Sequence, residues 1–126
     1  MELKQIHHIA IINSDLNKSK HFYIDILGLE LIREVYRKER DDYKLDLKIG
    51  DSEIELFIIK NRPARPSYPE SYGLRHLAFK VDDIEGVVKE LETKGVKCEA
   101  IRLDEITNKR MTFFFDPDNQ PLELHE

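Results

Sequence analysis

The chain has no tryptophan, one cysteine and only five glycines among its 126 residues. A lone cysteine excludes an internal disulfide. With no histidine or second cysteine near it in sequence, Cys98 reads as a packing residue and not a nucleophile. Long apolar runs are also missing; nothing approaches the roughly 20 residues that a membrane-spanning helix needs. Met1-Glu2-Leu3-Lys4 lacks the apolar core of a secretory signal. Positive charge is not in excess: 20 Lys and Arg against 25 Asp and Glu leave a net charge of −5. Phosphate recognition needs a basic face, so nucleic acid is excluded as a main partner. These absences lead to the expectation of a cytoplasmic protein with one compact domain, or two small units sharing a core.

What is present is 40% hydrophobic and 36% charged, enough for a core under a well-solvated surface. Residues 5–12 are isoleucine-rich and strand-like. Ser14 and Asp15 are helix N-cap types, and Leu16, Phe22, Tyr23, Ile26 and Leu27 follow at helical spacing up to Gly28. Strands are then expected over 29–36, 43–49 and 53–59. In the second of these, Tyr43, Leu45, Leu47 and Ile49 alternate with Lys44, Asp46 and Lys48, and Gly50-Asp51 is a hairpin turn. Residues 60–73 carry Pro63, Pro66 and Pro69 and no periodicity; they read as a stiff linker whose Arg62 and Arg65 are solvated or contact an anion.

The second half repeats this order. Residues 74–81 form a strand candidate containing His76. Asp82 or Asp83 caps a helix marked by Ile84, Val87, Val88 and Leu91 and closed by Gly95. Strands are expected over 96–103, 111–115 and 121–125, with Asp116-Pro117-Asp118-Asn119 as a turn.

A shift of 68 residues superposes the halves: His8 falls on His76, Ala10 on Ala78, Asp15 on Asp83, Glu55 on Glu123 and Leu56 on Leu124. Glu55 and Glu123 each interrupt an apolar strand, where a bare carboxylate costs several kcal/mol to bury. A solvated face is the alternative for Glu55, with Glu53 on the same side. His7 adjoins His8, and spacing alone leaves either as the ligand. Two histidines and two glutamates tied by one spacing fit a site for Ni2+, Zn2+, Co2+ or Fe2+, with remaining positions open to water or substrate. His7, His21 and Glu53 are otherwise assigned to surface or packing, and His125 to the vicinity of the site at most.

His8-Ile9-Ala10, Asp15-Leu16, Phe22-Tyr23, Leu27-Gly28, Glu55-Leu56, the run from Gly73 to Phe79, Asp116-Pro117-Asp118 and Leu122-Glu123-Leu124 resemble the vicinal oxygen chelate superfamily, in particular bacterial glyoxalase I. That resemblance implies an α+β fold of two tandem βαβββ modules, residues 1–60 and 73–126 joined by a linker 61–72, in a cupped, incompletely closed eight-stranded sheet. It implies one divalent metal ion on His8, Glu55, His76 and Glu123, and a homodimer. It further implies isomerisation of a 2-oxoaldehyde–thiol hemithioacetal to a 2-hydroxyacyl thioester, through an enediolate. Glu123 would be the base and Glu55 its partner. Glutathione-using members carry an arginine and an asparagine where this chain has Ile12 and Ile59, so another thiol or oxygen chelate is expected. An anion would instead meet Arg33, Arg37, Arg75, Arg102 or Arg110. Related reactions are acyl-CoA epimerisation, ring-cleaving dioxygenation and thiol transfer, each usually served by a ligand set in which Glu55 is replaced or surplus; metal-free drug binding is the non-catalytic alternative.

Overall fold

The structure, a computed structural model, describes residues 1–66 and 68–126. The chain divides after Pro63 into two units. In the first, β1 (His8–Asn13) leads into α1 (Leu16–Lys20), a π-helical segment (His21–Ile26), β2 (Glu30–Arg37), β3 (Asp42–Ile49) and β4 (Ser52–Ile58). The Asp15 carboxylate accepts from the Lys18 amide at 2.8 Å, satisfying one of the helix's unpaired N–H groups. The helix predicted over 16–27 changes pitch midway. Leu27 N–H reaches back five residues to the Phe22 carbonyl at 2.9 Å, and consecutive Phe22 and Tyr23 both enter the core. Gly28, at φ +73°, ends the segment in the left-handed region that glycine enters without strain.

The strands order as β1-β4-β3-β2, with β1 and β4 parallel and the other neighbours antiparallel. Period-two alternation gives this sheet two unlike faces. Ile11, Leu45, Leu47, Ile54, Leu56 and Ile58 are buried on one. His8, Ala10 and Ile12 of β1 lie with Glu53, Glu55 and Phe57 of β4 on the other, where exposure is greater.

The second unit contains β5 (Leu77–Lys80), α2 (Ile84–Thr93), β6 (Arg102–Leu103), β7 (Arg110–Phe115) and β8 (Pro121–His125), ordered β5-β8-β7-β6. Asp83 caps α2 by accepting from the Gly86 amide at 3.0 Å. Each unit is therefore a βαβββ module around a four-stranded mixed sheet, in an α+β fold with no closed barrel. The parallel registers agree: Ala10 lies opposite Glu55 as Ala78 lies opposite Glu123, both 45 residues apart.

Two strands are shorter than the sequence suggests. The strand expected over 74–81 begins only at Leu77, so His76 precedes β5 instead of lying within it. In the first unit the Glu53 amide donates to the His7 carbonyl at 3.0 Å and extends the ladder. The corresponding residue in β8 is Pro121, which has no N–H. The Arg75 carbonyl accepts instead from the Arg65 guanidinium at 2.8 Å, and the same group bonds the Leu74 carbonyl at 3.1 Å. Arg65 thus closes the end of a ladder that proline leaves open. The strand expected over 96–103 survives as Arg102–Leu103, with Glu99 N–H to Phe113 O at 2.9 Å continuing the contact irregularly. Cys98 is buried, which pushes its thiol up from the ordinary range and fits a packing role.

Candidate metal centre

In the first unit, His8 and Glu55 belong to adjacent parallel strands and sit diagonally about Ala10, whose short side chain leaves room between them. His8 Nε2 lies 3.7 Å from Glu55 Oε2. Its other ring nitrogen is engaged: His8 Nδ1 is 2.9 Å from His7 Nδ1, one donating and the other accepting. Which nitrogen of His8 faces the carboxylate is thereby set by a residue that sequence alone left at the surface.

Glu55 is held from its far side. Lys44 Nζ donates to Glu55 Oε1 at 2.9 Å and to Asp46 Oδ1 at 2.7 Å. Asp46 is only 2% exposed and takes a further bond from Arg33 Nε at 2.7 Å. Bonds to Asp46 first, and to Glu55 next, raise the Lys44 ammonium above the ordinary lysine range. Asp46, Glu53 and Glu55 bring carboxylate oxygens within 4.8 Å of one another. The Lys44 ammonium already sits on Asp46 and Glu55, and Arg33 on Asp46, so two cations of the chain offset part of this acidic group's charge.

The second unit repeats the pair in a drier setting. His76 Nε2 is 2.8 Å from Glu123 Oε2, and Glu123 is 6% exposed. The His76 ring packs edge-on against Phe113 at 5.1 Å, and its Nδ1 is buried without a hydrogen-bond partner among the described residues. Beside it opens a cavity of about 540 Å³ whose lining includes Arg65, Tyr72, Arg75, Arg102 and Phe113. These arginines are engaged: Arg75 pairs with Glu70 at 2.7 Å, Arg102 with Glu99 at 3.0 Å, and Arg65 bonds backbone.

The four predicted ligands therefore resolve into two imidazole–carboxylate pairs, one in each unit. Two ligands held at about 2.1 Å from one ion and 90–110° apart lie about 3.0–3.4 Å from each other. The observed 3.7 Å and 2.8 Å bracket that edge, and neutral nitrogen with anionic oxygen is a donor set that first-row divalent ions accept. The residues fit a metal ion.

Other candidates stand apart. His21 pairs with Asp25 at 3.1 Å, and His125 Nδ1 faces the Glu126 carbonyl at 2.7 Å. Arg37 is bound to Asp42, and Arg110 to Glu126 and Glu85. Ile12 is 56% exposed and Ile59 half-buried, so both present hydrocarbon. Lys44 was missed by sequence reasoning, which placed it on a polar face without asking what it met. The signal existed: a two-residue turn at Gly50-Asp51 pairs Ile49 with Ser52, which fixes Asp46 opposite Glu55 and Lys44 opposite Phe57.

Comparison with known proteins finds relatives over nearly the whole chain. The Escherichia coli (strain K12) protein YaeR is 59% identical over 125 residues, covering 98% of this chain and 97% of that protein. Metallothiol transferase FosB of Staphylococcus epidermidis (strain ATCC 12228 / FDA PCI 1200) is 35% identical over 127 residues, covering 99% of this chain and 83% of FosB. The crystal structure of the glyoxalase family protein from Enterococcus faecalis superposes with a TM-score of 0.95 at 56% identity, covering 100% of both chains. Residues 5–124 match one family across both modules, and the chain belongs to the Glyoxalase/Bleomycin resistance protein/Dioxygenase superfamily.

Proposed function

We propose that the chain is a divalent-metal-dependent isomerase of glyoxalase I type, acting on the hemithioacetal of a 2-oxoaldehyde with a thiol other than glutathione. His8, Glu55, His76 and Glu123 would hold one ion, Ni2+ or Zn2+ first and Co2+ or Fe2+ next, within one chain or across a homodimer in the cytoplasm. One observation carries this: in both units a glutamate lies opposite the alanine two residues after a histidine, with its Oε2 against that histidine's Nε2.

When bound, the ion supplies Lewis acidity that stabilises negative charge developing on substrate oxygens. Glu123 takes the proton from the carbon bearing hydroxyl and sulfur and returns it to the neighbouring carbon, while the hydroxyl proton moves between the two oxygens. Its burial beside Phe113 keeps bulk water from competing for that proton. Glu55, held by Lys44, stays in place as a ligand. Ile12 and Ile59 offer hydrocarbon where a glutathione carboxylate would require charged donors, which supports a different thiol.

Protein stripped of metal and reloaded with Ni2+, Zn2+, Co2+ or Fe2+ singly should convert methylglyoxal hemithioacetals of at least one non-glutathione thiol to thioester. Inactivity with every ion and thiol overturns the isomerase proposal. The likeness to FosB supports a second reading, addition of a thiol to an electrophile. A second arm of the screen, with the same thiols and ions and an alkylating electrophile in place of methylglyoxal, separates them, because transfer consumes thiol and electrophile there without forming a thioester.

A further inference from the structure

The two glutamates, equivalent by sequence, sit in opposite surroundings. Lys44 lies opposite Phe57 and Asp46 opposite Glu55 across β3 and β4. In the second unit the same register positions are Met111, opposite His125, and Phe113, opposite Glu123. An ammonium and a carboxylate on one side of the repeat thus become a thioether and a phenyl ring on the other. Glu55 has one oxygen 2.9 Å from Lys44 Nζ and the other turned to His8. Glu123 has the His76 ring against it and, among the described residues, no ammonium within ion-pair distance.

We propose that Lys44 is a positioning residue for the metal centre, fixing Glu55 as a ligand through its single oxygen Oε2 while Glu123 stays free to move a proton. The inference rests on the metal-site proposal above. Charge-assisted bonds between ammonium and carboxylate are short, directional and about twice as strong as neutral ones. Lys44 makes two, and its anchor Asp46 is itself buried and tied to Arg33. Rotating Glu55 would break a bond to a lysine that cannot follow without leaving Asp46. Rotating Glu123 breaks its contact with His76 and, among the described residues, no bond to an ammonium. Lys44 therefore distinguishes a rigid ligand from a mobile base within a duplicated fold, without touching substrate.

Two opposed effects decide the test. As a bare positive charge, Lys44 repels a cation, and removing it should tighten metal binding. As a positioning group, it orients the ligand, and removing it should weaken binding by about ten- to a hundredfold. The experiment measures Co2+ affinity by calorimetry and the visible absorption of the Co2+ protein, for wild type, Lys44→Met, Lys44→Gln and Lys44→Arg. Expected are a ten- to hundredfold loss and a shifted Co2+ band for Lys44→Met. A smaller loss is expected for Lys44→Gln, which keeps a donor, and for Lys44→Arg, which keeps the charge. Unchanged or tighter binding by a folded Lys44→Met overturns the role of Lys44. If Lys44→Met does not fold, Lys44→Gln is read by the same two measurements and the same criteria. Wild-type protein that takes up no Co2+ overturns the metal site itself and this inference with it.

Discussion

Glu123→Gln separates a carboxylate kept for chemistry from one kept for structure. Glu123 is 6% exposed, lies opposite Phe113, and pairs with His76 at 2.8 Å. Burying its charge costs several kcal/mol, which one imidazole offsets only in part. Glutamine has the same shape, removes the charge and retains a neutral hydrogen bond to the ring. The metal-free variant should therefore be as stable as wild type or more stable by up to about 1 kcal/mol. For a chain of 126 residues that corresponds to a Tm change between zero and about +4 °C. Turnover behaves oppositely. Loss of a general base lowers kcat by about 10²–10⁴-fold, a barrier increase of about 3–5 kcal/mol. Differential scanning calorimetry of the metal-free protein, set beside kcat of the metal-loaded protein, reads both effects. Retained kcat refutes the base assignment. A Tm lower by more than about 5 °C shows that the charged pair is a structural ion pair, and refutes the energetic reasoning.

His8→Ala and His76→Ala should each lower divalent-metal affinity by at least about a hundredfold, and equal affinity in either variant removes that histidine from the ligand set. Arg65→Met should cost about 1 kcal/mol, because it leaves the Leu74 and Arg75 carbonyls to solvent; hydrogen exchange in β5 should quicken while β1 is unchanged. Leu56→Ala, at a fully buried position of β4, should cost about 2–5 kcal/mol in urea unfolding. Acid should destabilise the fold through three carboxylates held below their ordinary range: Asp42 by Arg37, Asp104 by the Ile106 and Thr107 amides, and Glu126 by Arg110. A folded-state value below the unfolded one gives stability that is complete above the unfolded values of 3.8 and 4.5 and lost as pH falls through the lower folded values. Asp42→Asn should flatten that acid decline in a denaturant-midpoint profile, and an unaltered profile refutes the Asp42 contribution.

Most of the architecture was legible because two periodicities and one repeat agreed. Asp15 and Asp83 were readable as caps, Gly28 and Gly95 as terminators, and the spacing from His8 to His76 anticipated two identical parallel registers. What escaped were cases where one side chain replaces a backbone partner. Nothing local to Pro121 announces that Arg65, far away in sequence, supplies the missing donor. The Arg65 contact belongs to tertiary structure, and so does the early end of β5. The change of pitch at His21–Ile26 was hidden because a π turn keeps an approximately helical hydrophobic pattern. His7 illustrates a different limit. Spacing left either His7 or His8 as the ligand and His7 was assigned to the surface, yet its ring bonds the neighbouring ring at 2.9 Å, a contact decided by rotamer and not by alternation.

The segment before β5, which sequence reads as a spacer, is part of how His76 is held. Its Arg65 bonds the carbonyls of Leu74 and Arg75, and its Glu70 holds the Arg75 side chain. His8 has a ladder bond at the same point; His76 depends on these loop residues for its backbone setting. Spacers are ordinarily interchangeable between relatives and convenient places for insertion, but this one is not. Substituting it with a glycine–serine sequence of equal length would leave every proposed ligand intact and the first unit unchanged, yet would release one of the two imidazoles. An engineer grafting modules of this fold must therefore carry the loop with the second module as part of what holds the backbone before His76.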